Sequence, residues 1–95
     1  MIPYDKRSGN IWYNGQLVDW SEVKVHVLSH GLHYASCVFE GERVYDGSIF
    51  KLEEHTSRFF YSAKRMGFEI PYSEDEINAA SNSIIKNQKV ENGYV

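Results

Sequence analysis

Two Asx-Gly dipeptides restrict the fold more than any other feature of this sequence. Asn14-Gly15 separates Ile11-Trp12-Tyr13 from Gln16-Leu17-Val18, and Asp46-Gly47 separates Val38 to Tyr45 from Ser48 to Leu52. A two-residue type I′ turn needs positive φ at both central positions, which Asn, Asp and Gly tolerate best. Each dipeptide therefore predicts a β-hairpin. Between the hairpins, Lys24 to Leu28 alternates polar and apolar residues through Val25 and Val27 and reads as a short strand. Ser29 to Ser36 reads as a helical turn or loop.

The second half changes period. Leu52, Thr56, Phe59, Phe60, Ala63 and Met66 recur at helical spacing, with no proline or glycine from Glu53 to Met66, and Gly67 supplies a stop. Ser73-Glu74-Asp75-Glu76 is a capping box: the Ser73 hydroxyl can accept from the Glu76 amide, and Glu76 can reach back. Ile77, Ala80, Ile84 and Ile85 then line one face up to about Asn87. Glu91-Asn92-Gly93 signals a turn, and Tyr94-Val95 reads as the start of a further strand. The order hairpin, strand, hairpin, helix, helix predicts an α+β fold. Its sheet should be mostly antiparallel, with two helices on one side.

The chain has 95 residues, one domain's length. Ten Lys and Arg stand against thirteen Asp and Glu, for a net charge of −3, and no basic block occurs. Nucleic acid and anionic membrane are thus not expected partners. One cysteine, Cys37, rules out an internal disulfide. No signal peptide or long apolar run is visible, so a cytoplasmic protein is expected.

Candidate chemistry gathers in His30 to Tyr45, HGLHYASCVFEGERVY. His26, His30 and His33 are spaced by four and three, but no further ligand has metal spacing. They read as ordinary hydrogen-bonded histidines, and no metal is expected. A nucleophilic pair of Cys37 with a histidine lacks an orienting third group. Arg58, four residues after Glu54, reads as a surface ion pair or as a fork for phosphate. Gly41 inside a strand run suggests a bulge or a close approach of backbone to ligand.

Several stretches resemble the small N-terminal domain of the branched-chain amino-acid aminotransferases, enzymes of fold type IV that use pyridoxal 5′-phosphate. They are Lys24 to Val27, Ser29 to Tyr34, Val38 to Arg43, Phe50 to Arg58 and Gly67 to Ser73. The resemblance covers almost the whole of 1–95. It implies that the tyrosine matching Tyr34 reaches the substrate pocket, usually that of the partner subunit. Phe39 would line the pocket for the aliphatic side chain, and Gly41 would leave room in its wall. Arg43 would lie near the site, Arg58 would bind the cofactor phosphate, and Tyr94 would help hold the substrate carboxylate. Cys37 departs from the family, which has a small residue there.

The resemblance further implies that the lysine carrying the cofactor, and the glutamate partnering its pyridine nitrogen, lie in a C-terminal domain not found in these residues. No catalytic residue is therefore assigned here, and the 95-residue chain alone should be inactive. The complete enzyme would move the amino group between leucine, isoleucine or valine and 2-oxoglutarate, its partners being small amino acids and 2-oxo acids. It is expected to be a homo-oligomer, a dimer in the first instance, and the residue after Val95 is expected to be arginine. A D-amino-acid aminotransferase or an aminodeoxychorismate lyase of the same fold type is the alternative enzyme. A non-catalytic binding domain is the alternative outside enzymes.

Overall fold

The computed structural model describes residues 1–95. Two antiparallel sheets and three helices make up an α+β fold. Strands β1 (Asn10–Tyr13) and β2 (Gln16–Asp19) form the first hairpin, pairing Ile11 with Val18 and Trp12 with Leu17. Asn14 and Gly15 have φ of 50° and 88°, the two positive values that the turn demands. The short helix α1 (His30–His33) follows. Strands β3 (Arg43–Tyr45) and β4 (Ser48–Ile49) form the second hairpin, with φ of 49° at Asp46 and 77° at Gly47.

Helix α2 (Leu52–Met66) ends on Gly67, whose φ of 87° is left-handed. The Phe68 amide then bonds back to the Ala63 carbonyl, closing the C-terminus as a glycine cap should. Helix α3 (Glu74–Asn87) is capped by Ser73, whose hydroxyl accepts from the Glu76 amide at 3.1 Å. Strand β5 (Gly93–Tyr94) returns antiparallel to β3, giving the order β4-β3-β5. Arg43 pairs with Tyr94 and Val44 with Gly93. Beyond the strands, Glu42 and Val95 exchange both backbone hydrogen bonds at 2.9 Å.

Three expectations are corrected. Lys24 to Leu28 is not a strand. Val25 and Val27 are exposed, no strand pairs with them, and the Leu28 amide donates to His26 Nδ1, a local bond that folds the segment on itself. The second hairpin is shorter than its apolar run: residues 38–42 are extended without regular pairing, apart from the Glu42–Val95 bonds. Met66 is half exposed and lies off the buried face of α2.

The core is small. Val44, Ala63 and Ile85 are buried, with the polar Glu42 and Thr56 beside them. The Thr56 hydroxyl donates to Asn78 Oδ1 at 2.5 Å and ties α2 to α3. The first hairpin docks on α3 through its edge: the Asn10 amide donates to Gln88 Oε1, and Asn10 Nδ2 to Asn87 Oδ1. Gly9 permits this approach, since a Cβ there would collide with the Gln88 amide. Trp12 meets Tyr72 edge-on at 5.1 Å, pinning the hairpin to the turn before α3. No helix is long and apolar enough to cross a membrane.

Candidate functional site

Side chains alternate sides along extended backbone, and from Val38 to Tyr45 the burial follows that period of two. Glu40, Glu42 and Val44 turn inward towards the helices. Phe39 (85% exposed), Gly41, Arg43 and Tyr45 turn outward. The antiparallel register adds Tyr94 to the outward face, directly opposite Arg43. The Arg43 guanidinium carbon lies 4.7 Å from the centre of the Tyr94 ring and 5.2 Å from that of Tyr45. Such contacts hold a guanidinium over an aromatic face while leaving its N–H edge free. A Cβ built on Gly41 would meet nothing within 4 Å, so the wall opens at that point. Four of the candidate substrate residues, Phe39, Gly41, Arg43 and Tyr94, thus share one exposed face.

Tyr34 is held elsewhere, at the C-terminal end of α1. Its ring packs edge-on against His30 at 5.5 Å and His33 at 4.5 Å. Cys37 is exposed and its Cβ would lie 3.2 Å from a side chain at Gly31. No group of three His, Cys, Asp or Glu side chains is arranged around a metal position.

The inward face carries the main polar cluster. Arg58 does not pair with Glu54, which instead lies 3.7 Å from Lys51. The helical spacing was misleading because Glu40, eighteen residues upstream, competes for the same guanidinium and is far less exposed. Arg58 donates to Glu40 from Nε at 2.8 Å and from Nη2 at 2.7 Å, a fork on both carboxylate oxygens. His55 Nδ1 lies 2.6 Å from Glu40 Oε1. An ionised carboxylate only accepts, so the His55 ring proton belongs on Nδ1. The Arg58 hydrogen bonds, and then those of His55, hold Glu40 down to a pKa of about 2 against burial, which acts the other way. The same pairing raises the Arg58 pKa above its ordinary value.

Glu42 differs. It is 7% exposed, and its Oε2 is buried without a hydrogen-bond partner. Burial, with a smaller push from Glu40, raises its pKa, while His55 opposes the rise. Glu40, Glu42 and His55 border a cavity of about 130 Å³ with Thr56, Phe59 and Ile77. None of these three polar residues was singled out from the sequence. The signal available was the alternation itself, which puts Glu40 and Glu42 in phase with Val44.

With its proton on Nδ1, His55 cannot accept from Arg58 Nη2 3.4 Å away, so Arg58 keeps Nη1 and one Nη2 proton uncommitted on an exposed surface, donors suited to a phosphate oxygen. Lys6, Lys24, Lys51, Lys64, Lys86 and Lys89 are all exposed.

The sequence pattern of the amino-transferase class IV family matches residues 37–95. A branched-chain-amino-acid aminotransferase of Pseudomonas aeruginosa is 47% identical over 93 residues, covering 94% of this chain and 30% of that protein. A solved structure of a branched-chain amino acid aminotransferase from Escherichia coli superposes with a TM-score of 0.88 at 39% identity, over 93% of this chain and 31% of that one. A T.th. branched-chain amino acid aminotransferase, complexed with N-(5′-phosphopyridoxyl)-L-glutamate, gives a TM-score of 0.87 at 40% identity, over 93% and 31%. The chain spans about a third of the length of the curated relatives it matches.

Proposed function

The chain belongs to the class IV aminotransferases, and from that membership we propose that it forms the small domain of a pyridoxal 5′-phosphate-dependent branched-chain amino-acid aminotransferase. The observation that carries most weight is the division of one extended segment into two faces. The outward face offers an aromatic and cationic wall, and the inward face grips the arginine that would meet the cofactor phosphate.

When bound, pyridoxal 5′-phosphate supplies the electron sink that lets an amino acid lose its α-proton. The residues of this chain bind and orient. Arg58 holds the phosphate through its free N–H donors. Tyr94 and Arg43 offer a hydroxyl and a guanidinium to the substrate carboxylate, one neutral and one charged. Phe39 covers the aliphatic side chain and excludes water, and Gly41 leaves the volume that side chain needs. Tyr34 serves the pocket of a second copy in a homo-oligomer. The base that moves the proton would come from a further, C-terminal domain, a reading supported by relatives of which this chain spans about a third. The amino group would pass between leucine, isoleucine or valine and 2-oxoglutarate, in the cytoplasm.

The test is amino transfer to 2-oxoglutarate by the complete polypeptide, with L-leucine against D-alanine as donor. Turnover of L-leucine, with none from the 95-residue chain alone, is expected. Preference for D-alanine would favour a D-amino-acid aminotransferase. No turnover of either, and no spectral change on adding pyridoxal 5′-phosphate, would leave a binding domain.

A further inference from the structure

Arg58 is a long side chain on the exposed side of α2, and left alone it would sample many rotamers. It is not left alone. Glu40 takes its Nε and Nη2 protons in parallel, which fixes both the position and the plane of the guanidinium. Glu40 can do this because it is itself immobilised. Its side chain is 10% exposed, and His55 donates to Oε1 from behind. Three of the five guanidinium protons stay free, on Nη1 and on the outer side of Nη2. The pair is thus a relay: His55 fixes Glu40, Glu40 fixes Arg58, and Arg58 presents a two-nitrogen edge at a set angle.

We infer that Glu40 is a positioning residue for phosphate recognition, holding the Arg58 fork in the orientation that a phosphomonoester requires. The inference rests on the reading of Arg58 given above. A second effect opposes it. The Glu40 carboxylate partly cancels the Arg58 charge, so a site relying on charge alone would do better without it. Orientation and charge therefore predict opposite signs for removal of Glu40, and this makes the idea testable.

The probes are pyridoxal 5′-phosphate and pyridoxal, which differ only in the phosphate, titrated spectroscopically into the complete polypeptide. Arg58→Ala should weaken binding of the phosphorylated form without changing that of pyridoxal. Glu40→Gln should weaken the phosphorylated form by roughly tenfold, the scale of a single charge-assisted hydrogen bond out of a bidentate pair. It should again leave pyridoxal unchanged, which also reports that the fold survives. Glu40→Asp, which keeps the charge, should fall between wild type and Glu40→Gln. The double variant Glu40→Gln/Arg58→Ala should be no weaker than Arg58→Ala, since one residue acts through the other. Weaker binding in Arg58→Ala with no change, or a gain, in Glu40→Gln would overturn the inference alone. So would equal weakening of both probes in Glu40→Gln. An unchanged phosphate preference in Arg58→Ala would overturn the assignment of Arg58, and this inference with it.

Discussion

Replacing Glu42 by methionine should make the protein more stable, and by an amount that depends on pH. The Glu42 side chain is buried, its Oε2 has no partner, and Phe59 and Ile77 are among its cavity neighbours. A buried polar atom without a hydrogen bond costs about 1–3 kcal/mol, and an apolar side chain of similar length removes that cost. The carboxyl adds a pH-dependent part. Its folded-state pKa lies above the ordinary 4.5, chiefly through burial. A carboxyl with a raised folded-state pKa binds its proton more tightly in the native state. Its favourable contribution is complete below the unfolded value and disappears as pH rises through the folded one.

Wild type should therefore lose stability from about pH 4 towards neutrality at this site, and Glu42→Met should lack that slope. The gain should reach about 1–2 kcal/mol at about pH 7.5, or roughly 5–10 °C in Tm for a domain this size, and fall below about 1 kcal/mol at about pH 4. Urea unfolding followed by tryptophan fluorescence at the two pH values measures the difference, and titrations common to both proteins cancel. Glu42→Gln, which removes the charge but keeps a polar group, should flatten the slope with a smaller gain. A Glu42→Met protein destabilised near neutrality, or equally stabilised at both pH values, would refute the reasoning.

Glu40 should behave oppositely. A fall from 4.5 to about 2 sets a ceiling of about 3 kcal/mol, but the exposed Arg58 partner lets solvent screen the pair. About 1 kcal/mol should thus be present above pH 4.5 and lost as pH falls towards 2, and Glu40→Gln should abolish that acid limb in a pH series of thermal melts. Ser73→Ala removes the only side-chain bond to the α3 N-terminus and should cost about 1 kcal/mol in urea unfolding. Gly41→Val should leave stability within about 0.5 kcal/mol, because nothing lies near its Cβ. In the complete enzyme it should cut kcat/KM for leucine at least tenfold, since the branch would project into the substrate wall; unchanged kinetics would remove Gly41 from the site.

Local signals were the legible ones. Asn14-Gly15, Asp46-Gly47, Gly67 and Ser73 each act within a few residues, and each does in the structure what its chemistry requires. The reciprocal half of the capping box, Glu76 back to Ser73, is not formed, and the Glu76 carboxylate stands exposed. Lys24 to Leu28 failed because two valines in alternation specify a strand only if a neighbour pairs with them. The Arg58 partner failed for the converse reason. A helix-surface rule sees Glu54 at four residues, while the decisive Glu40 is brought in only by tertiary packing. The candidate substrate residues came from the family resemblance. That Phe39, Gly41, Arg43 and Tyr94 share one face follows from strand alternation and from the β3–β5 register, which no local pattern encodes.

The position of β5 has a kinetic consequence. Strands β3 and β4 lie next to each other in sequence and can zip in microseconds around Asp46-Gly47. Strand β5 joins β3 only after both long helices have intervened, and the Glu42–Val95 bonds enclose more than half of the 95 residues. Closing that loop costs entropy that the backbone bonds of a two-residue strand barely offset. Strand β5 should therefore add last, once α2 and α3 have packed and drawn the two segments together, and open first. Amide exchange at Glu42 and Val95 should report this sub-global opening, at a free energy below that of global unfolding. The outward face that Arg43 and Tyr94 share would be the last part of the domain to assemble.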